Sequence, residues 1–257
     1  MKKLIPILFT PIFLISKGYA AQLHQIKTST TTVLKRVTLN DRNYSIGIGV
    51  GAVAPNSAKP WKSHSLAEVV YIINGKAIVN YKPKLTETYT TGESYQIKTD
   101  RFHQTQSGDD GLTYVVIWGE RKKTKTAILT DGTPLKPLDD KLQKITLEKI
   151  NHVLNSKDSV VKKTSLKMLE EEKIPQSPYT VFMKLGTLSK NHDFSLHQTS
   201  EPRIMYLLSG EMSIADHSVT KTYHCSESFI VEPNVSYQIT AGEMGARYIL
   251  GGAVQFR

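Results

Sequence analysis

The chain has 257 residues, 39% of them hydrophobic, and a formal net charge of +10. Its single cysteine, Cys225, excludes a disulfide framework, so apolar cores and backbone pairing alone must hold the fold. The positive excess is dispersed, with short runs at residues 121–125 and 162–163. That argues against a nucleic-acid partner and fits a solvated basic face or a preference for small anions.

The chain opens on Lys2 and Lys3, followed by a mostly apolar run over residues 4–15 that Pro6, Thr10 and Pro11 interrupt. Such a run is too short to cross a hydrocarbon core of roughly 30 Å as a helix. With the small residues Gly18 and Ala20 behind it, it reads as an export signal cleaved after Ala20. Residues 1–20 are therefore predicted to be a signal peptide, and the mature protein to be periplasmic or secreted without a stable membrane anchor. Removing Lys2, Lys3 and Lys17 lowers the charge from +10 to about +7.

Residues 21–32 are polar and Thr-rich, a loose lead-in. A first module is predicted over residues 32–125. Its segments at 44–50, 69–73, 77–81, 94–97 and 113–118 are short, rich in Val, Ile and Tyr, and punctuated by Gly, Asn, Asp and Pro. Asn74-Gly75, between two apolar runs, carries the signature of a tight hairpin turn because both residues tolerate positive φ. Residues 126–178 read as a linker: Gly132, Pro134 and Pro137 come first. Apolar residues at helical spacing (Leu142, Ile145, Ile150, Val153, Leu154) follow among charges over 141–172, predicting one or two short helices. A second module of short strands fills residues 179–257.

The two modules are copies. Residues 68–81 (EVVYIINGKAIVNY) align with 203–216 (RIMYLLSGEMSIAD), placing Tyr71 over Tyr206 and Gly75 over Gly210. Residues 107–119 align with 241–253, placing Gly108 over Gly242, Gly111 over Gly245 and Tyr114 over Tyr248; upstream, Gly51 falls over Gly186. Short strands at regular spacing, duplicated, predict an all-β chain of two barrels or sandwiches.

One group of residues carries chemistry. His64 and Glu68 are four apart on the approach to one strand, so alternation can place both on one face, and His103 arrives from a later strand. Two imidazoles and a carboxylate converging in a barrel make a three-ligand metal site with open positions for water, O₂ or substrate. Fe, Mn, Zn, Ni and Cu all suit such a donor set.

These residues resemble the two motifs of the cupin superfamily, and the duplication resembles its two-domain members, the bicupins. The first motif, G-x5-H-x-H-x3,4-E-x6-G, matches Lys62-Ser-His64-Ser-Leu-Ala-Glu68 through Gly75. The second, G-x5-P-x-G-x2-H, matches Gly92 through His103. The resemblance spans essentially the whole chain after residue 20. It implies two tandem jelly-roll β-barrels, with His64, Glu68 and His103 as metal ligands. Lys62 stands where the family has its first histidine, Asn56 where the first motif has its opening glycine, and Lys98 and Asp100 where the second has Pro and its inner Gly. Lys62 points out of the barrel, acts as a base, or clamps an anion. Tyr95, three after Gly92, is a candidate acid or hydrogen-bond donor near the metal, or a core residue.

In the second copy the ligand positions read His197, Thr199, Arg203 and Tyr237, with Ser226 for the second motif's glycine. No metal is expected there. Arg203 could grip a carboxylate or phosphate bidentately, with His197 and Tyr237 beside it, or pair with Glu201 or Glu211. Trp61 and Trp118 read as packing residues or pocket walls, Cys225 as a half-buried small hydrophobe, and His192, His217 and His224 as surface residues.

Two functions follow from this reading. The first is an exported bicupin that binds a divalent metal in its N-terminal barrel and acts on a small polar metabolite by dioxygenase, isomerase or lyase chemistry. The second is a barrel that binds a sugar or organic acid without turnover. Both take a small molecule as partner and leave homodimerisation open.

Overall fold

The computed structural model describes residues 29–122, 126–128, 150, 152–153, 160–216 and 219–256. The expected signal peptide and most of the expected helical linker lie outside these residues. Among the described residues no helix is long and apolar enough to cross a membrane.

Among the described residues, fifteen strands form two sheets. The first sheet comprises β1 (Ser29–Thr38), β2 (Tyr44–Val53), β3 (Lys62–His64), β4 (Ala67–Tyr81), β5 (Leu85–Thr90), β6 (Ser94–Ile97), β7 (His103–Arg121) and β8 (Thr126–Ile128). The second comprises β9 (Ser165–Lys173), β10 (Tyr179–Leu188), β11 (Asp193–Leu196), β12 (Arg203–Ala215), β13 (Thr220–His224), β14 (Ser228–Val231) and β15 (Tyr237–Gln255). Each sheet closes on its own apolar interior, giving two tandem jelly-roll barrels: of the barrels or sandwiches that the duplicated pattern predicts, the form that the cupin resemblance implies.

The long strands β4 and β7 run antiparallel and serve both walls of the first barrel. Their pairing slips at two bulges, between Ile72 and Asn74 and between Gly75 and Ala77. In the second barrel β12 and β15 slip at the matching places, between Leu207 and Ser209 and between Gly210 and Met212. The expected hairpin at Asn74-Gly75 is therefore a bulge inside a continuous strand. A bulge draws on the same freedom to take positive φ as a tight turn does. Gly75 has φ +89°, and a Cβ there would lie 2.1 Å from the Gly111 carbonyl oxygen; Gly210 has φ +76° and would strike the Gly245 oxygen at 2.0 Å.

Strand β2 shows why the first module spaces its glycines by two. Ile46, Ile48, Val50 and Ala52 point one way into an apolar core. Gly47 and Gly51 face the barrel, where the Trp118 and Tyr114 rings lie so close that a Cβ would sit 2.2 Å from either. Gly186 makes the same room for Tyr248.

The described residues form three cores. One fills the first barrel (Val70, Ile72, Tyr95, Tyr114, Trp118) and one the second (Phe182, Met205, Leu207, Phe229, Tyr248). The third lies in the seam between the barrels and takes repeat-related residues from both: Ile46 and Val181, Val69 and Ile204, Tyr71 and Tyr206, Val115 and Ile249. Tyr44 and Tyr179 meet each other there, with ring centroids 5.5 Å apart. Their hydroxyls bond across the seam, Tyr44 donating to the Gln176 carbonyl and Tyr179 accepting from the Asp41 amide.

Three strands extend the sheets beyond the expected module limits. β1 begins at Ser29, ahead of residue 32, because its backbone pairs with β2 from Val53 onward. β8 pairs with β3. β9 replaces the expected helix over 165–172. It is an edge strand on β10, mostly exposed on its outer face, so it lacks the period-two apolar alternation that marks a half-buried strand. Of the expected linker, Ile150 and His152–Val153 are helical, and Ile150 is buried in the seam core.

Candidate metal centre

Short connections bring the first motif together. Only Ser65 and Leu66 separate β3 from β4, so His64 and Glu68 flank one tight link. His103 opens β7, in register with Lys62 on one side and Tyr81 on the other. The link is tied to the second motif, since the Ser65 hydroxyl donates to the Asp100 carboxylate and the Asp100 amide donates to the His64 carbonyl.

The motif's missing glycines have replacements that keep the backbone. Asn56 has φ 51° and Asp100 has φ 56°, and in the second barrel Ser226 has φ 72° where Gly92 has 88°. Asn and Asp enter the left-handed region at lower cost than most residues. The departures from the motif thus change side chains without changing the path of the chain.

One ligand atom from each of His64, Glu68 and His103 lies within 4.8 Å of the other two. His64 Nε2 is 3.3 Å from Glu68 Oε2, and the imidazoles meet edge to face with centroids 5.1 Å apart. Both rings are buried, and neither Nε2 has a well-aligned hydrogen-bond partner, His64 Nε2 having only the Glu68 oxygen beside it. Such orphaned polar atoms are costly in a protein interior. A shared cation would satisfy both, and ligand atoms about 2.1 Å from one ion lie within roughly 4.2 Å of each other. The donor set and its spacing fit a divalent transition ion.

The surroundings hold His103 and Glu68 in metal-binding form and His64 in the opposite tautomer. His103 Nδ1 lies 3.1 Å from the Arg101 carbonyl, to which its N–H donates, leaving Nε2 as a lone pair aimed inward. Burial, reinforced by Lys62, lowers the His103 pKa to about 4, so the ring is neutral at ordinary pH. Burial alone would raise the Glu68 carboxyl. Lys62 and the two histidines outweigh that and hold it well below the usual carboxylate range. His64 differs, because the Leu66 amide donates to its Nδ1 at 3.3 Å. The neutral ring then carries its proton on Nε2, toward Glu68, and binding a metal there requires that proton to move to Nδ1.

Lys62 turns toward the site. Its Nζ lies 3.6 Å from Glu68 Oε2 with the side chain 31% exposed, which rules out the outward orientation. Lys98, in the place of the motif's proline, turns away and pairs with Glu87 at 2.8 Å. Tyr95 on β6 belongs to the barrel core, stacked on Tyr89 with centroids 4.5 Å apart. Burial pushes its phenol well above its ordinary value, so it keeps its proton and can only donate it in a hydrogen bond. Trp118 is a core residue, and Trp61 walls an open groove with Lys82 over its ring at 4.9 Å. The Arg101 carbonyl that orients His103 is a backbone group, for which a sequence carries no signal.

The second barrel does not assemble its equivalents. His197 is exposed, and Tyr237 packs at the edge of the core with its hydroxyl accepting from the Glu232 amide. Arg203 pairs with neither Glu201 nor Glu211, lying instead over the Phe182 ring at 5.6 Å. Glu201 is buried and bonded to Tyr179 and Asn40, and Glu211 faces His224. Among the described residues, His64, Glu68 and His103 form the one cluster spaced to hold a metal.

Two tandem barrels of this topology, the first enclosing two histidines and a glutamate, define the two-domain cupin fold. No family model and no curated relative matches the chain. Among solved structures it is similar to a cupin 2 conserved barrel domain protein from Leptotrichia buccalis, at TM-score 0.51, 13% identity and 89% of both chains. It is likewise similar to the oxalate decarboxylase of Lactobacillus farciminis in a formate complex, at TM-score 0.58, 13% identity, 89% of this chain and 84% of that one. Salicylate 1,2-dioxygenase from Pseudoaminobacter salicylatoxidans follows at 0.53 and 10%, covering 80% of this chain and 70% of that one.

Proposed function

We propose that the first barrel is a divalent-metal centre built from His64, Glu68 and His103 and that it acts on a small anionic metabolite. The observation that carries this reading is the pair of buried imidazole nitrogens, neither with a well-aligned hydrogen-bond partner, converging on an ionised glutamate. Such an ion, when bound, polarises a substrate oxygen or activates water or O₂. Glu68 supplies the negative charge, the Arg101 carbonyl fixes the His103 tautomer, and the apolar interior around Tyr95 and Trp118 excludes bulk water. Lys62 places an ammonium at the edge of the centre, where it repels a cation but attracts an anionic substrate group. Oxalate and salicylate, named for two similar structures, are both carboxylates, which agrees with that role for Lys62. The reaction class is dioxygenase, isomerase or lyase, with Fe, Mn, Zn, Ni or Cu as the ion; Mn(II) centres are named for Bacillus subtilis oxalate decarboxylase.

The Lys62–Glu68 contact supports a second reading, in which the lysine takes the cation's place and the barrel binds an organic acid without turnover. Metal analysis of protein prepared without chelators or tag metals, followed by calorimetry on the stripped chain, separates the two. Stoichiometric binding lost in His64→Ala and His103→Ala supports the metal centre. Binding that appears only in Lys62→His supports the lysine-filled barrel. Export to the periplasm or beyond belongs to the same proposal and is checked by N-terminal sequencing, which finds Lys2 and Lys3 absent if the leader is cleaved.

A further inference from the structure

The seam between the barrels has two flanks related by the repeat, and they differ. On one, a cavity of about 100 Å³ opens between Tyr71, Ile73, Thr91 and Gly92 of the first barrel and Leu208, Ser209 and Arg247 of the second, so its polar groups stand at one side of an otherwise apolar wall. That volume is roughly three water molecules' share of the liquid, the size of a four- or five-atom oxyanion. Thr91 and Gly92 are exposed and form its mouth.

Arg247 is half-buried, yet it forms no ion pair among the described residues. Its hydrogen bond is a long one, from Nη2 to the Tyr71 hydroxyl at 3.4 Å. Ser209 sits opposite it in register on β12. A guanidinium removed from much of its water without a counter-charge is incompletely satisfied, and its planar donors suit a carboxylate or phosphate.

On the other flank Thr113 stands where Arg247 stands, in register with Asn74 as Arg247 is with Ser209. Ser226 replaces Gly92, and Cys225, in the place of Thr91, packs against the seam core. The cavity and the guanidinium therefore occur together on the first flank, whereas the second has a threonine in the arginine's place. Glu68 and Tyr71 belong to opposite faces of β4, since Tyr71 lies in the seam core while Glu68 faces His64. The seam cavity is thus separate from the metal cluster.

We infer that this seam cavity is a binding site for a small oxyanion, held by Arg247 with the hydroxyls of Tyr71 and Ser209, which ties the two barrels together. The site does not depend on metal in the first barrel. The test is thermal unfolding of the full, metal-free chain in low-salt buffer, titrated with inorganic phosphate, with acetate, and with sodium chloride at matched ionic strength. A saturating rise of the midpoint with phosphate or acetate, about 5–10 °C at a hundredfold excess over Kd, is expected. Which of the two anions gives it identifies phosphate or carboxylate as the ligand chemistry. The rise should vanish in Arg247→Met and persist in Lys190→Met, whose altered lysine is exposed and paired with Glu243 outside both sites. Ser209→Asp, which sets a carboxylate opposite the guanidinium, should start from a higher midpoint than the native chain and respond to neither anion. An equal rise in Arg247→Met, an undiminished rise in Ser209→Asp, a rise matched by chloride, or no rise with either anion overturns the inference.

Discussion

The two barrels share their backbone devices closely and their chemistry hardly at all. Gly75 lies on the Gly111 carbonyl as Gly210 lies on that of Gly245, and Tyr114 covers Gly51 as Tyr248 covers Gly186. Yet Lys62, His64, Glu68 and His103 converge, whereas His197 is exposed and Arg203 covers a phenylalanine ring. Strand path and side-chain function have been held by different residues. The barrel survives any set of ligands so long as its bulges and ring-over-glycine contacts remain.

The largest effects should come from breaking what the barrels share. Gly75→Ala and Gly210→Ala each force a Cβ into a carbonyl at about 2 Å in a left-handed backbone. Each should cost roughly 3–5 kcal/mol or prevent folding, measured by denaturant unfolding. A large loss in one barrel with a small one in the other would break the equivalence of the two bulges.

Next come changes in what they do not share. His64→Ala or His103→Ala should weaken metal binding by more than the roughly 10–100-fold that loss of a supporting partner costs. His197→Ala should leave affinity unchanged, because its ring is exposed. Calorimetry on the stripped chain reads all three.

The buried imidazole of His103 also gives the first barrel a pH dependence. Its pKa is depressed from 6.5 to about 4 in the folded protein. Between those values the unfolded chain binds the extra proton and the native one does not, so stability falls as pH drops from about 6.5 to 4. The loss on completing that span is on the order of 3 kcal/mol for the metal-free protein. His103→Gln should flatten the slope, followed by urea unfolding at stepped pH.

Lys62→His should tighten metal binding, about tenfold or more, by removing a cation and adding a fourth donor. If Lys62 holds the substrate's anionic group, the same variant raises KM while its metal content rises. Unchanged metal affinity would show that Lys62 does not compete with the ion. The smallest effect belongs to Cys225→Ser, expected within about 1 kcal/mol because the thiol is only partly buried and the Leu208 carbonyl it donates to suits a hydroxyl too.

The repeat and the convergence of His64, Glu68 and His103 were legible in the sequence because both depend on spacing, which strands convert directly into position. Asn74-Gly75 was misleading, since tolerance of positive φ marks a bulge and a turn alike. β9 was hidden because an exposed edge strand has no buried face to impose alternation. The direction of Lys62 depended on Glu68 being ionised within reach, a distance that no spacing rule contains. The spaced glycines of β2 were visible, but the rings that need them come from β7, more than sixty residues away.

The seam core has one more consequence. Its repeat-related pairs, with Tyr44 against Tyr179, make it an isologous surface in which each barrel offers the other the same face. That face is apolar and continuous, so a barrel severed from its twin would be left with a large sticky patch. Split between the two sheets, the chain should yield halves that recombine when mixed. The first half alone would be expected to find a second copy of itself, rebuilding as a symmetric pair what the gene now supplies as one polypeptide.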